Sequence, residues 1–315
     1  MTQDTTDRRH SILIWVALGL VYVVWGSTYL GIGIVVQTMP PMLSGALRFL
    51  AAAVLLGGFL LLRKGRRAFA VTWRQLCGAG LVGLLLLTGG NGLVAVAEQY
   101  ISTGLAALLV ASVPLWLVVF RLVVRDRPKA LTIAGVIVGF FGVAMLALNG
   151  GGSGGRTAGI VTILVAALSW SLGSFLSSRI PMPDDPFVAS TIEMLVGGIG
   201  LALVGAGFGE RLVLAEISFA SWMALLYLVL VGSLVGFTSY VWLLGNAPIS
   251  LVSTYAYVNP VVAVMLGALV LNESVSVQVL TGGLVIVVGV MLVISTERAK
   301  RVVEPVAPDA QRVGR

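Results

Sequence analysis

Two ionisable residues, Arg48 and Glu193, stand inside long apolar stretches, and each comes seven positions after a proline, Pro41 or Pro186, that opens its stretch. Charges at membrane depth are costly and usually face a protein interior or a water-filled path. At the rise of a helix, each lies about 10 Å from the end of its segment. A carboxyl at Glu193 has the chemistry to bind a coupling proton or a substrate amine, and a guanidinium at Arg48 to bind a substrate carboxylate or steady a gate. The alternative is structural: the two neutralise one another or nearby backbone and hold the helices together. Glu98 follows the third stretch, where it is either a gate or proton entry point or a solvated helix end. Asn91 lies deeper, within Gly89-Gly90-Asn91-Gly92. Its amide can hydrogen-bond a substrate or a neighbouring helix, and the glycines permit close approach or a bend.

Aromatic side chains supply the second kind of chemistry. Trp25, Trp116, Trp170, Tyr240 and Tyr255 fall within the apolar stretches and would enclose apolar or cationic groups, with Thr28 and Asn259 adding polar contacts. Trp15, Trp73 and Trp222, near segment ends, read as interfacial anchors. Pro114 and Pro260 interrupt the fourth and ninth stretches, each freeing a carbonyl and permitting a kink that serves as a hinge or is tolerated in packing. The sequence has no GxxxxGK[ST] phosphate loop, a single histidine (His10) and a single cysteine (Cys77). No metal site, cofactor site, intramolecular disulfide or histidine-based triad is therefore expected, and no soluble stretch is long enough for an enzyme.

These residues need membrane-spanning helices to position them. Of 315 residues, 58% are hydrophobic and 10% charged, with a mean hydropathy of +1.03, far from soluble composition. Ten stretches reach the roughly 20 residues that a span requires. They are Ile12–Val36, Met42–Leu62, Leu76–Ala97, Gly104–Val124, Leu131–Leu148, Ile160–Ser178, Phe187–Gly207, Trp222–Leu244, Leu251–Leu271 and Val277–Ser295. Their lengths demand α-helices, giving an all-α integral membrane protein. The first stretch follows Arg8 and Arg9 as a signal peptide would, but it runs on for about 25 residues and reads as a retained span.

The net charge of +7 is distributed as topology and does not suggest a nucleic-acid partner. Arg8 and Arg9, the group Arg63, Lys64, Arg66, Arg67 and Arg74, the group Arg125, Arg127 and Lys129, and the group Arg298, Lys300 and Arg301 all fall on one side, against Arg156 and Arg211 opposite. The positive-inside rule makes both termini cytoplasmic. Residues 1–11 and 296–315 form cytoplasmic tails, the second with Pro305 and Pro308, and the Gly-rich stretch 149–159 is expected to be a flexible linker between halves 12–148 and 160–295.

The halves are copies of one another. At a shift of 145, Trp25 falls on Trp170, Pro41 on Pro186 and Arg48 on Glu193. A shift of 146 puts Pro114 on Pro260, and 147 puts Asp126 on Glu273, Gly135 on Gly282 and Gly142 on Gly289. A five-helix unit ends on the opposite side from its start, so the copies are inverted, an architecture suited to alternating access about a midplane site. Symmetry places Trp25 and Trp170 across one cleft. Gly135-x-x-x-Gly139 reads as a close helix contact, within the chain or in a dimer.

Trp25-Gly26-Ser27, Arg48-Phe49, Ala107 to Pro114, Asn259-Pro260 and Glu273 followed by Gly282 and Gly289 resemble the drug/metabolite transporter superfamily, specifically proteins of two EamA repeats. Asp126 departs from the glutamate usual in that family. The resemblance implies ten helices, a cavity lined by spans 1, 3, 4, 6, 8 and 9, and export of amino acids, metabolites or drugs across the cytoplasmic membrane. The expected partners are a small-molecule substrate, the lipid bilayer and a coupling proton, with the chain a monomer or homodimer. A facilitative uniporter is the alternative, and a membrane enzyme or lipid-handling protein is the reading from another class.

Overall fold

The structure, a computed structural model, describes residues 2–126, 128–148, 154–247, 251 and 254–301. Helix α1 is Thr2–Val35, α2 Pro41–Lys64, α3 Trp73–Ala97, α4 Thr103–Val123, α5 Ala130–Leu148, α6 Gly154–Ser177 and α7 Pro186–Gly207. Helix α8 covers residues 219–246, α9 is Tyr255–Val270 and α10 Val277–Arg301. Eight of these helices are long and apolar enough to cross a membrane, and Phe219–Val235 and Tyr255–Val270 are shorter apolar helices. No strand occurs among the described residues.

Helix starts follow local chemistry. Pro41 and Pro186 occupy the first turns of α2 and α7, where a missing N–H costs nothing. Thr72 and Gln75 form a reciprocal capping box at α3, while Ser102 and Ser218 accept backbone N–H bonds at α4 and α8. Helix α4 breaks at residues 111–112, so Pro114 falls in the first turn of its second segment, Val113–Val123. Pro260 lies inside α9.

The connections gather at two ends. One carries residues 36–40, 98–102, 208–218 and 271–276; it is called the acid-cap end, because Glu210 accepts from the N–H groups of Met42 and Leu43 (3.2 and 2.9 Å) and Glu273 caps α4. The other, the basic end, carries residues 65–72, 124–129 and 178–185 and joins the halves through an ion pair of Lys64 and Asp185.

Equivalent helices of the two halves lie antiparallel and touch through glycine. A Cβ on Gly289 would stand 2.4 Å from Gly139 N and 2.7 Å from Gly135 O, and one on Gly142 would stand 2.9 Å from Gly282 O, so α5 and α10 meet backbone to backbone. The Gly135-x-x-x-Gly139 face is thus spent inside the chain. Helices α2 and α7 repeat this with Gly45 against Leu201 and Gly198 against Leu50.

Helices α3 and α8 each contain a π-helical stretch, Leu84–Gly92 and Leu228–Val235, in equivalent places. Such segments are rare and frequent at functional sites. Gly90, in the first, and Gly236, just after the second, receive the two equivalent tryptophans. A Cβ on Gly90 would stand 2.8 Å from Trp170 Cε3, and one on Gly236 would stand 2.8 Å from Trp25 Nε1.

Of the Gly-rich stretch 149–159, residues 154–159 form the first turns of α6, so the expected flexible linker is helical there. Residues 149–153, Arg127, and 302–315 with Pro305 and Pro308 lie outside the described residues.

Gly289→Ala should lower the thermal unfolding midpoint in detergent by an amount matching about 1–3 kcal/mol of overpacking, because backbone cannot move aside. Gly58→Ala, with nothing within 4 Å of the added carbon, should leave it unchanged or higher.

Candidate functional site

Beneath the acid-cap end is a cavity of about 20 Å³ bounded by α1 (Ile32, Val35), α2 (Ser44, Arg48, Phe49), α3 (Asn91, Ala95) and α8 (Leu225, Leu228). A water needs roughly 10–15 Å³ on the same measure, so the site is closed to a larger solute in this conformation. Both halves contribute, the second through α8.

Arg48 is 7% exposed. Its Nε donates to Ser233 Oγ at 3.0 Å, and its guanidinium carbon stands 4.7 Å from the centre of the Phe49 ring. The ion pairs among the described residues are Lys64–Asp185 and Arg121–Asp126, so Arg48 has no carboxylate partner. Glu193, its repeat equivalent, is half-buried; its own backbone is pressed against Gly83, whose added Cβ would stand 2.4 Å from Glu193 O. The two charges do not neutralise one another. Asn91 shares the cavity with Arg48, in the π-helical stretch of α3. Ser44, which lines the cavity, and Ser233, which accepts from Arg48, are polar partners of this site that sequence reasoning missed. Their spacing signal exists, Ser44 one helical turn before Arg48, but serine is common in such helices.

Three expected aromatic residues come together elsewhere. Trp25 stands 4.9 Å from Tyr240 and 5.0 Å, edge-on, from Tyr255, and the two tyrosine rings are 5.9 Å apart. Tyr22 hydroxyl bonds Thr254 Oγ1, and the Asn259 amide nitrogen, in the orientation that satisfies it, donates to Tyr255 O and Tyr22 O at 3.2 Å. Thr28 Oγ1 donates to Trp25 O at 2.6 Å. Trp116 instead packs edge-on to Phe140, ring centres 4.8 Å apart, with its Nε1 buried and without an acceptor. Trp170 lies over Gly90, so Trp25 and Trp170 keep equivalent places in their own halves without ring contact.

Glu98 caps the C-terminus of α3, one residue past the span Trp73–Ala97. Both its carboxyl oxygens are buried and accept no hydrogen bond. Burial first, and then the negative charge of Glu273, hold its carboxyl well above the usual carboxylate range. Glu273 is the opposite case. Oε1 accepts from Thr103 N at 2.8 Å, and Oε2 from Thr103 Oγ1 at 3.0 Å and Gly104 N at 3.3 Å. It reaches them because Asn272, at φ 54°, ends α9 in a left-handed turn that asparagine tolerates. Arg125, at φ 63°, does the same before Asp126, whose Oδ2 bonds Arg121 Nε at 2.7 Å.

A bundle of long apolar helices, closed around a mainly apolar cavity that both of its halves line and that Arg48, Asn91 and Ser44 enter, is the build of a membrane transporter. The EamA-like transporter family matches residues 12–148 and 157–295, and the chain belongs to that family. It is 39% identical over 306 residues to the uncharacterized inner membrane transporter YedA of Escherichia coli (strain K12), covering 96% of this chain and 98% of the relative. It is 25% identical to the uncharacterized transporter YoaV of Bacillus subtilis (strain 168), covering 89% and 97%. A crystal structure of 23% identity superposes with a TM-score of 0.61 over 92% of this chain and 98% of the other, and shows the same fold. The protein is therefore a multi-pass inner-membrane transporter of the drug/metabolite transporter superfamily, with a small-molecule substrate and a lipid surround. Family and relatives point to transport and not to an enzyme.

Arg48→Met should fold with a thermal midpoint equal to or above that of the parent, since a buried charge without an ionic partner carries a desolvation cost that an apolar side chain of similar length does not. A large fall in the midpoint would show instead that the charge holds the bundle together.

Proposed function

We propose that the protein is a secondary active transporter that exports a small amphipathic solute bearing a carboxylate, such as an amino acid, across the cytoplasmic membrane by alternating access. The observation that carries this reading is Arg48, a buried cation with no acid partner on a cavity lined by both halves. A desolvated guanidinium gains most from a planar carboxylate, which it binds with two parallel hydrogen bonds. Asn91 and Ser44 would bind the solute's other polar groups, and the Trp25–Tyr240–Tyr255 cluster would receive an apolar or cationic part when the site is open.

On this reading ten spans form two inverted repeats, 12–148 and 160–295, joined by the Gly-rich linker, with the acid-cap end external, the basic end and both tails cytoplasmic. The halves rock about the glycine contacts of α5 and α10, with Pro114 and Pro260 as hinges. Because those glycine faces are consumed within the chain, the monomer is the transporting unit. Glu193, unpaired on the opposite side of the midplane, is the proposed site where a cytoplasmic proton exchanges.

In sealed proteoliposomes offered a pool of amino acids and lipophilic cations, a carboxylate-bearing solute should accumulate only when a pH gradient is imposed. Arg48→Met should reduce that flux by about 10–100-fold, the worth of a hydrogen-bonded charge, with Arg48→Lys intermediate. Equal flux in Arg48→Met would remove the carboxylate reading, gradient-independent equilibration would identify a uniporter, and unchanged gradient-driven flux in Glu193→Gln would clear Glu193 of coupling. In a Cys77→Ser background, Gln99→Cys should react with a membrane-impermeant maleimide on intact cells and Ala70→Cys only after permeabilisation; the reverse pattern would invert the topology.

A further inference from the structure

At the acid-cap end two carboxyls from different halves flank Thr103 in opposite electrostatic circumstances. Glu273 receives three hydrogen bonds from the first residues of α4, where the helix dipole also favours negative charge, so it is held as the anion. Glu98 has no donor for either oxygen. A Cβ on Gly33 would stand 2.6 Å from Thr103 Cγ2 and 3.5 Å both from Glu98 Oε2 and from Leu271 Cδ1, which puts the Glu98 carboxyl at the junction of α1, the start of α4 and the turn after α9. The titratable groups acting on it are Tyr29 from α1 and Glu273 from that turn; Arg156, on the first turn of α6 that packs against Tyr100 and Ile101, has a buried Nε that donates to no acceptor. An isolated carboxylate there would be strongly disfavoured, whereas a neutral carboxylic acid is tolerated.

We infer that Glu98 is a proton-binding gate: closing the turn that bears Glu273 over the start of α4 takes up a proton on Glu98 from the solution on that side, and loss of this proton opens the turn. The balance is simple, since the Glu98 carboxylate accepts H⁺ from a hydronium or buffer acid and no other bond changes. The sign follows from linkage. Closure raises the proton affinity of Glu98, so protons stabilise the closed end; that stabilisation is complete at acid pH and is lost as pH rises through the raised pKa of the closed state. Asp126, the repeat equivalent of Glu273, bonds Arg121, and the repeat positions of Glu98 carry Leu243, Leu244 and Gly245 in place of an acid, so the device belongs to one end of the transporter. The inference uses the transporter reading only for its purpose, because the proton site can be measured without a substrate.

The test uses the full chain in liposomes with Cys77→Ser and a reporter at Ile101→Cys, a buried position two residues before Thr103, which Glu273 holds. Maleimide labelling, normalised to the same sample in denaturant, should rise about fivefold or more from mildly acidic to alkaline pH, the lower range of an allosteric coupling. Glu98→Gln, isosteric with the protonated acid, should hold labelling at its low value throughout, and infrared difference spectra should lose one titrating carboxylic-acid band. Glu273→Gln, which removes the like charge, should move that band's midpoint to lower pH. Labelling in Glu98→Gln that still rises with pH, or a carboxylic-acid band indifferent to Glu98→Gln, would overturn the inference. Because neither readout needs a solute, an absence of flux in the transport assay would leave this result standing, and active transport with a pH-insensitive gate would refute the gate alone.

Discussion

Helices α5 and α10 meet backbone against backbone, and the absence of a Cβ permits that contact. Inside a bilayer the hydrophobic effect does not drive one apolar helix onto another, so association depends on close packing and polar contacts. Gly135, Gly139 and Gly142 on α5 meet Gly282 and Gly289 on α10 with spacing that leaves no room for a side chain. Because the two helices are equivalent members of the two repeats and run antiparallel, one glycine pattern serves both faces of the same contact. The α2–α7 pair and the two tryptophan–glycine contacts, Trp25 with Gly236 and Trp170 with Gly90, repeat that economy elsewhere in the bundle.

With the frame set by glycine, the polar groups are distributed by what they cost. Glu210 and Glu273 come from loops of the second half and satisfy helix N-termini of the first, where a carboxylate meets both orphan N–H groups and the positive end of the helix dipole. These caps tie the halves together at one end, as Lys64 and Asp185 do at the other. Arg48 and Glu98 are different, since neither has an ionic partner to offset its burial. Stability gives no reason to keep such groups, and the proposed roles give each a ligand: a carboxylate for the cation and a proton for the acid.

The pseudo-symmetry is exact enough to govern backbone and loose enough to separate function. Asn272 and Arg125 both end a helix in the left-handed conformation and both precede an acid. Their acids nevertheless take different partners, Glu273 a helix terminus of the other half and Asp126 an arginine of its own helix. Likewise the equivalent pair Arg48 and Glu193 carry opposite charge and do not meet. A transporter built from two copies needs such departures, because the two ends must respond to different solutions.

Composition, eight of the ten expected spans and the repeat were legible in the sequence because they depend on properties that the bilayer itself imposes: about 20 apolar residues per helix, prolines where a helix starts, and glycines at a fixed shift. The family resemblance rested on the same features and was upheld. Among the candidate residues, the sequence marked Arg48, Asn91 and Glu98 by type alone. Tertiary structure decided that Arg48 and Asn91 share a cavity, that Trp116 packs on Phe140, that Trp25 and Trp170 stay apart, and that the linker's second half is helical. Nor did periodicity reveal the π-helical stretches of α3 and α8, since they arise from how each helix accommodates its neighbours. A sequence records which side chains enter the membrane; their partners depend on helix rotation and approach, which only packing fixes.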